Sequence, residues 1–371
     1  MLDISACPEC KTPSSFTAGQ AWLNNGDIVQ KANQTARMIF LECENLDPLF
    51  ANMGDIIGFP VEELVENITA RGAAIYMERL IPDELKELIR AGEIDFGFLI
   101  KAVIQYSHVL GYGKYEFVGL RYERDEDDYY KQRVFKPFSL PIAAGNLAGV
   151  LSAAVGGEHS VTRVEISPGL YEFTSAWTEY PESIKERLAL KGYEHREGDI
   201  ELERCPGCGC PSGLSAFRWP LDEGTIVNSQ TGRRMAVLGA EFLDNVFDAL
   251  ESELGETIPA VVIEAQRRFT KTGFYSIEQV QNEEEFRTQL ALRGLGNLRM
   301  IRMGTRGLRL RLDNAAAYLM VAGMAQGLFE LALDVDSRVE WELSGDGELL
   351  VEVKPASSGQ GFQLLRQGTV R

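Results

Sequence analysis

A Cys-Pro-x-Cys knuckle opens at Cys7 and again at Cys205, and a similar order of landmarks follows each one. A chain that repeats its own plan is expected to fold as two like units, so function is sought in a repeated pocket, a shared interface or a shared metal. Cys7 and Cys10 match Cys205 and Cys208 at an offset of 198 residues, and Trp22, Arg37, Phe50, Gly58 and Arg71 match Trp219, Arg234, Phe247, Gly255 and Arg268 at 197. The offset then falls to 185 at Leu110-Gly111 against Leu295-Gly296 and to 178 at Ala144-Gly145 against Ala322-Gly323. The second copy has lost loop length and kept its core elements. Residues 1–178 and 205–371 form the two units, and the charged, helix-like stretch between them, 179–204, reads as a linker.

With 371 residues, 45% of them hydrophobic, the chain can bury two cores. A net charge of −18 with no basic stripe disfavours direct nucleic-acid binding. The N-terminus lacks a basic leader and an apolar stretch, which points to a cytoplasmic protein. The longest apolar run, Leu140 to Gly157, is mostly Ala and Gly, and reads as a buried helix and not a membrane span.

Ala21 to Val29 and Phe217 to Val227 read as short strands with a turn. Arg37 to Ile57 carries Leu46, Leu49, Phe50, Met53 and Ile57 at helical spacing, as its counterpart carries Phe242, Leu243, Val246, Phe247, Leu250 and Leu254. Gly58 and Gly255 are expected to cap these helices in the left-handed conformation. Helices over Val61–Met77 and Pro259–Thr270 follow, then a strand pair at Tyr115–Tyr122 and another at Leu298–Leu312. Each unit next has a helix, Leu140–Val155 or Ala315–Leu333, and closes with a hairpin, Val161–Ser175 or Arg338–Val353. Both helices hold Gly-x-x-x-Gly, Gly145 with Gly149 and Gly323 with Gly327, which admits a closely packed neighbour. That neighbour is expected to be the unit's own sheet or the other copy.

The paired knuckles carry the clearest chemistry. Two residues between cysteines let both thiolates face one ion, and Cys7, Cys10, Cys205 and Cys208 together complete a tetrahedral structural zinc shell. Cys210 or His195 is an alternative ligand. A thioredoxin-like dithiol is the competing reading, without the expected strand-to-helix context. Cys43, after Met38-Ile39-Phe40-Leu41, reads as a buried thiol.

No catalytic residues emerge. His108, His159 and His195 lie in unrelated surroundings, Glu123 to Asp128 reads as a solvated acidic loop, and no phosphate loop or dinucleotide turn occurs. Arg299, Arg302, Arg306, Arg309 and Arg311 read as an exposed strand face complementing acidic neighbours.

From Leu110 through Phe173, with LGYGKYEFVGL, PIAAGNLAGVLSAAVG and PGLYEF, the chain resembles the 4-vinyl reductase domain of hydrocarbon-binding regulatory proteins and of a bacteriochlorophyll biosynthesis protein. The second copy resembles it through LGNLRMIRM, VAGMAQGLFELAL and DGELLVEV. The resemblance implies an α+β fold related to Golgi-tethering subunits, an antiparallel sheet packed with helices, dimerisation, and a small apolar ligand or tetrapyrrole. Two tandem repeats in one chain would supply the pair internally, as a pseudo-dimer with a small zinc ribbon. Cysteines that many members carry before the glycine helix and in the last hairpin are absent here, so no metal or redox role built on them carries over.

A pocket would be lined by Phe50, Met53, Leu64, Ile68 and Leu147 in one unit and by Phe247, Leu250, Val261 and Met324 in the other, although ordinary core packing explains the same residues. The expected function is non-catalytic sensing or carriage of an apolar molecule. Alternatives are a protein–protein adaptor with degenerate pockets and, third, a pigment-biosynthesis reductase or accessory protein.

Overall fold

The computed structural model describes residues 4–94, 96–179, 195–276 and 282–356. Most of the expected linker, residues 180–194, lies outside them, as does the C-terminal stretch 357–371. The fold is mixed α+β, with antiparallel sheets packed against helices.

Three strands, β1 (Gln20–Trp22), β2 (Ile28–Gln30) and the longer β3 (Asn33–Glu42), meet three others, β8 (Phe217–Arg218), β9 (Ile226–Asn228) and β10 (Arg234–Gly239), in one six-stranded sheet of order β1-β2-β3-β10-β9-β8. The central pair is antiparallel, with Ile39 opposite Leu238 and Phe40 opposite Val237. The run Met38-Ile39-Phe40-Leu41 is therefore strand, and the helix expected over Arg37 to Ile57 starts only at Cys43. A central strand covered on both faces needs apolar residues at successive positions, which erases the alternation that would have marked it. Met235 to Leu238, all buried, repeat the pattern.

Helices α2 (Cys43–Ile57) and α3 (Glu62–Leu80) follow in the first half, and α7 (Ala240–Leu254) and α8 (Ile258–Phe269) in the second. They pack crosswise, α2 on α8 and α3 on α7. Gly58 caps α2 in the left-handed conformation (φ 94°, ψ 13°), whereas Gly255 ends α7 with positive φ but extended ψ (φ 100°, ψ 170°), so the expected left-handed cap forms once.

Each half ends in a four-stranded antiparallel sheet. The first is built from β4 (Lys114–Arg121), β5 (Tyr129–Phe135), β6 (Glu158–Ser167) and β7 (Leu170–Thr178) in the order β4-β5-β7-β6. The second, from β11 (Asn297–Gly304), β12 (Gly307–Asp313), β13 (Ser337–Leu343) and β14 (Leu349–Pro355), has the same order, β11-β12-β14-β13. Strand β5 lies past the acidic loop and outside the expected pair at Tyr115–Tyr122; its alternating Tyr-Tyr-Lys-Gln-Arg-Val-Phe is the period-two signal that marks it.

Helix α6 (Leu140–Val155) joins the second and third strands of the first sheet, as α10 (Tyr318–Leu333) does in the second. Their glycine faces rest on neither the sheet nor the other half but on the earlier helix of the same half. A Cβ on Gly145 or Gly149 would run into the carbonyls of Glu66 and Ala70 in α3, one on Gly323 into that of Ile263 in α8, and one on Gly327 into the side chain of Thr270 at the end of α8. One continuous apolar core spans both halves, with Ile39, Leu46 and Phe138 contributed by the first and Leu238, Leu243 and Phe329 by the second.

Candidate metal centre

The two knuckles are built alike. Cys7 N–H donates to Thr12 O (2.9 Å) and Cys205 N–H to Cys210 O (2.7 Å), while Lys11 N–H returns to Cys7 O (3.0 Å) and Gly209 N–H to Cys205 O (2.9 Å). Isolated bridges, Ala6 with Pro13 and Arg204 with Pro211, close each loop. The residue after the second cysteine takes positive φ in both, 63° at Lys11 and 74° at Gly209, which folds the backbone back around the sulfurs.

The four thiols converge. Cys7 Sγ lies 3.8 Å from Cys205 Sγ and Cys10 Sγ lies 3.5 Å from Cys208 Sγ, and all four sulfurs fall within 4.8 Å of one another. A tetrahedral ion with metal–sulfur bonds of about 2.3 Å sets its sulfurs about 3.8 Å apart. The donor set and spacing therefore fit a metal ion, and among the described residues this is the one His/Cys/Asp/Glu group placed to hold one. Burial opposes ionisation of Cys205, but the N–H groups of Cys208 and Gly207 and the Cys10 and Cys7 thiols outweigh it and pull the thiol down to about 6. Burial, together with the hydrogen-bonded thiols of Cys10, Cys205 and Cys7, pushes Cys208 up. The cage thus already favours one thiolate, the form in which sulfur ligates a metal.

Of the two alternative ligands, His195 lies elsewhere, and Cys210 stands beside the four-sulfur group, its thiol hydrogen-bonded to that of Cys208. Cys210 occupies the position of Thr12 in the other knuckle and packs near Thr17 O in an apolar cluster with Phe16, Trp22 and Leu214. His195 sits between Asp27 Oδ2 (2.7 Å) and Gln34 O (2.9 Å). Cys43 is buried, and desolvation pushes its thiol up to about 12.

The nine residues proposed to line pockets all belong to the continuous core. Phe50, Met53, Ile68, Phe247, Leu250 and Val261 are buried within it, and Leu64, Leu147 and Met324 are half-buried against it. The other candidates for chemistry are held structurally. His108 Nε2 accepts from Tyr115 N–H (2.9 Å). Asp128 gathers the N–H groups of Glu123, Arg124 and Asp125, folding the acidic loop around Arg121. In the arginine strand face, Arg299 pairs with Asp313 and Asp199, Arg309 with Glu352 and Arg311 with Glu348.

Sequence reasoning missed a buried charge cluster. Asp27 and Arg37, almost fully enclosed, pair at 2.6 Å; Asp27 also faces His195, and Arg37 donates to the carbonyls of Gly294 (3.2 Å) and Asn314. Residues 195–200, read as linker, are tied into both halves through it: Asn25 Nδ2 donates to Arg196 O, Arg196 N–H to Asn314 Oδ1, and Ile200 N–H to Asn24 O. A second polar cluster joins Glu42 to Arg293 (2.6 Å) and Tyr275 (3.1 Å), with Asn45 bonded to Gln266 and Tyr275. The signal for the first was the Arg37–Arg234 match itself, an arginine at the head of each apolar run.

No helix among the described residues is long and apolar enough to cross a membrane. No family model matches the sequence, and neither does any curated protein. Among solved structures, the chain is weakly similar to an H-NOX protein from a study of haem distortion in that family, at 13% identity over 34% of this chain and 77% of that one, with a TM-score of 0.24. A Cs H-NOX mutant carrying 4-cyano-L-phenylalanine matches at 13% identity and the same coverage, with a TM-score of 0.23. Likeness at this level carries no argument about fold or ligand.

Proposed function

We propose that the chain is a non-catalytic binding protein made of two tandem 4-vinyl-reductase-like units, paired as an intramolecular pseudo-dimer and clasped by a structural zinc ion. The observation that carries this reading is the convergence of Cys7 and Cys10 with Cys205 and Cys208, two alike knuckles 198 residues apart whose sulfurs stand at tetrahedral spacing. Four thiolates fill the shell of a zinc ion and leave no open position for substrate, so the metal supplies cohesion and not catalysis. The reciprocal contacts of the halves support the pairing: their sheets share one strand order, and β3 and β10 join across the centre.

The cargo in this reading is a small apolar molecule or tetrapyrrole, received among α2, α3 and α6 or their counterparts, with half-buried Leu64, Leu147 and Met324 at the rim. Native mass spectrometry of protein purified from more than one host tests it. A retained apolar adduct is the expected result, and a mass accounted for by chain and metal alone contradicts it. A second reading, a protein–protein adaptor with closed pockets, is favoured by the burial of Phe50, Met53, Phe247 and Leu250 in one packed core.

A further inference from the structure

Arg37 and Arg234 occupy equivalent places in the two halves. Ile28 pairs with Met38 and Ile226 with Met235, so each arginine stands one residue before a matched pair, and Asp27 and Thr225 occupy the same register position on the facing strand. The arginines also share their acceptors. Arg37 donates to the carbonyl of Asn314, which has φ 52°, and Arg234 donates at 2.6 Å to that of Lys136, which has φ 49°.

One difference separates the sites. Arg37 Nε meets the Asp27 carboxylate at 2.6 Å, and the second Asp27 oxygen is held by Asn25 Nδ2 (2.7 Å) and His195 Nδ1 (2.7 Å). In the other half threonine replaces the aspartate, Arg234 Nε is buried without a hydrogen-bond partner, and no carboxylate of the described residues forms an ion pair with that guanidinium. Glu44 accepts the backbone N–H of Arg234 (3.1 Å) and leaves Nε unmet. A guanidinium donor left without an acceptor on a half-buried side chain is costly, and carboxylates match its planar fork in shape and charge.

We propose that Arg234 is the receiving group for the carboxylate of a small ligand, which takes the place that Asp27 fills beside Arg37. The inference rests on the two-unit reading above but needs neither the metal nor an apolar cargo.

Acetate is the probe, with chloride at matched ionic strength as reference and the thermal midpoint as readout in the wild-type chain, Arg234→Gln and Thr225→Asp. Acetate is expected to raise the wild-type midpoint above that in chloride, and Arg234→Gln to lose this increment. Thr225→Asp, a near-isosteric change that rebuilds the Asp27–Arg37 pair, is expected to raise the midpoint in chloride and no longer respond to acetate. Equal wild-type midpoints in the two salts, or an increment that persists in either variant, overturn the proposal. Metal content measured on the same samples reports separately on the clasp.

Discussion

The Trp22 indole N–H donates to the carbonyl of Leu292, 270 residues away, at 3.0 Å. Trp219 returns the same bond to Val109 at 3.2 Å, so each half anchors the end of a helix from the other. The backbone repeats the exchange, Phe40 N–H donating to Arg293 O and Val237 N–H to Leu110 O, each at 2.9 Å. Trp22→Phe strands the Leu292 carbonyl and shrinks a buried ring, which together are expected to cost about 2–4 kcal/mol. Denaturant titration checks it. Because Phe16 contacts both Trp22 and Trp219, the pair of substitutions is expected to be non-additive.

These cross-half contacts correct the register read from the sequence. Gly111 lies against the Met235 carbonyl and the Ile226 side chain, and Gly294 lies against the Met38 carbonyl and Ile28. Gly111 therefore corresponds to Gly294 and not to Gly296, and the offset there is two residues smaller than the Leu-Gly match suggests. Contacts within each half match Gly113 to Gly296 in the same way: a Cβ on Gly113 would strike the carbonyl of Lys136 and one on Gly296 that of Asn314. The dipeptide match was local, whereas Gly111 and Gly294 are fixed by contacts with the opposite half that a local pattern does not display.

The glycine helices offer an internally controlled test. A Cβ at Gly149 would come within 2.6 Å of the Ala73 Cβ and closer still to the Ala70 carbonyl, whereas one at Gly72 in α3 meets nothing within 4 Å. Gly149→Ala is expected to lose about 1–3 kcal/mol through overpacking. Gly72→Ala is expected to gain about 0.5–1 kcal/mol from helix propensity. Thermal midpoints of the two variants should move in opposite directions.

Three groups push the pH response in one direction, against His108 and His159, which burial lowers from 6.5. Burial raises Glu66 to about 7 against the opposing charge of Arg163, and burial likewise raises Glu241 to about 7. His195 is raised from 6.5 chiefly by its hydrogen bond to Asp27, and its two ring nitrogens both face acceptors, an arrangement that only the imidazolium satisfies. A group with its folded value raised stabilises the fold below its unfolded value and loses that contribution as pH rises through the folded one. These three groups therefore contribute a loss of stability between pH 5 and pH 8, and Glu66→Gln, Glu241→Gln and His195→Gln should each remove their share of it, shifting the pH profile of the urea midpoint upward at pH 8 relative to pH 5.

Much of the site was legible because metal knuckles are local. Two cysteines three positions apart form one turn, and the turn needs no knowledge of the rest of the chain. The amphipathic helices were legible for the same reason, as Leu46, Leu49, Phe50 and Met53 carry their period with them. Strand β3 was not, since residues buried on both faces show no alternation. The Asp27–Arg37–His195 cluster was hidden because Asp27 and Arg37, although neighbours across the β2–β3 pair, are enclosed only when His195, 168 residues from Asp27, and the carbonyls of Gly294 and Asn314 close over them.

Removing thiols from the clasp should loosen the joint between the halves. A metal bound by residues on both sides of a long chain segment reduces the freedom of the unfolded state, and its binding free energy adds to folding. Cys7→Ser with Cys205→Ser is expected to abolish metal binding and lower the thermal midpoint, and Cys210→Ser to leave metal content unchanged, as read by elemental analysis.

X-ray absorption at the zinc edge of the purified chain tests the clasp most directly. The account predicts one zinc per chain surrounded by four sulfurs at about 2.3 Å. A metal-free chain with Cys7, Cys10, Cys205 and Cys208 all open to thiol reagents, or a shell containing nitrogen or oxygen in place of sulfur, would contradict it.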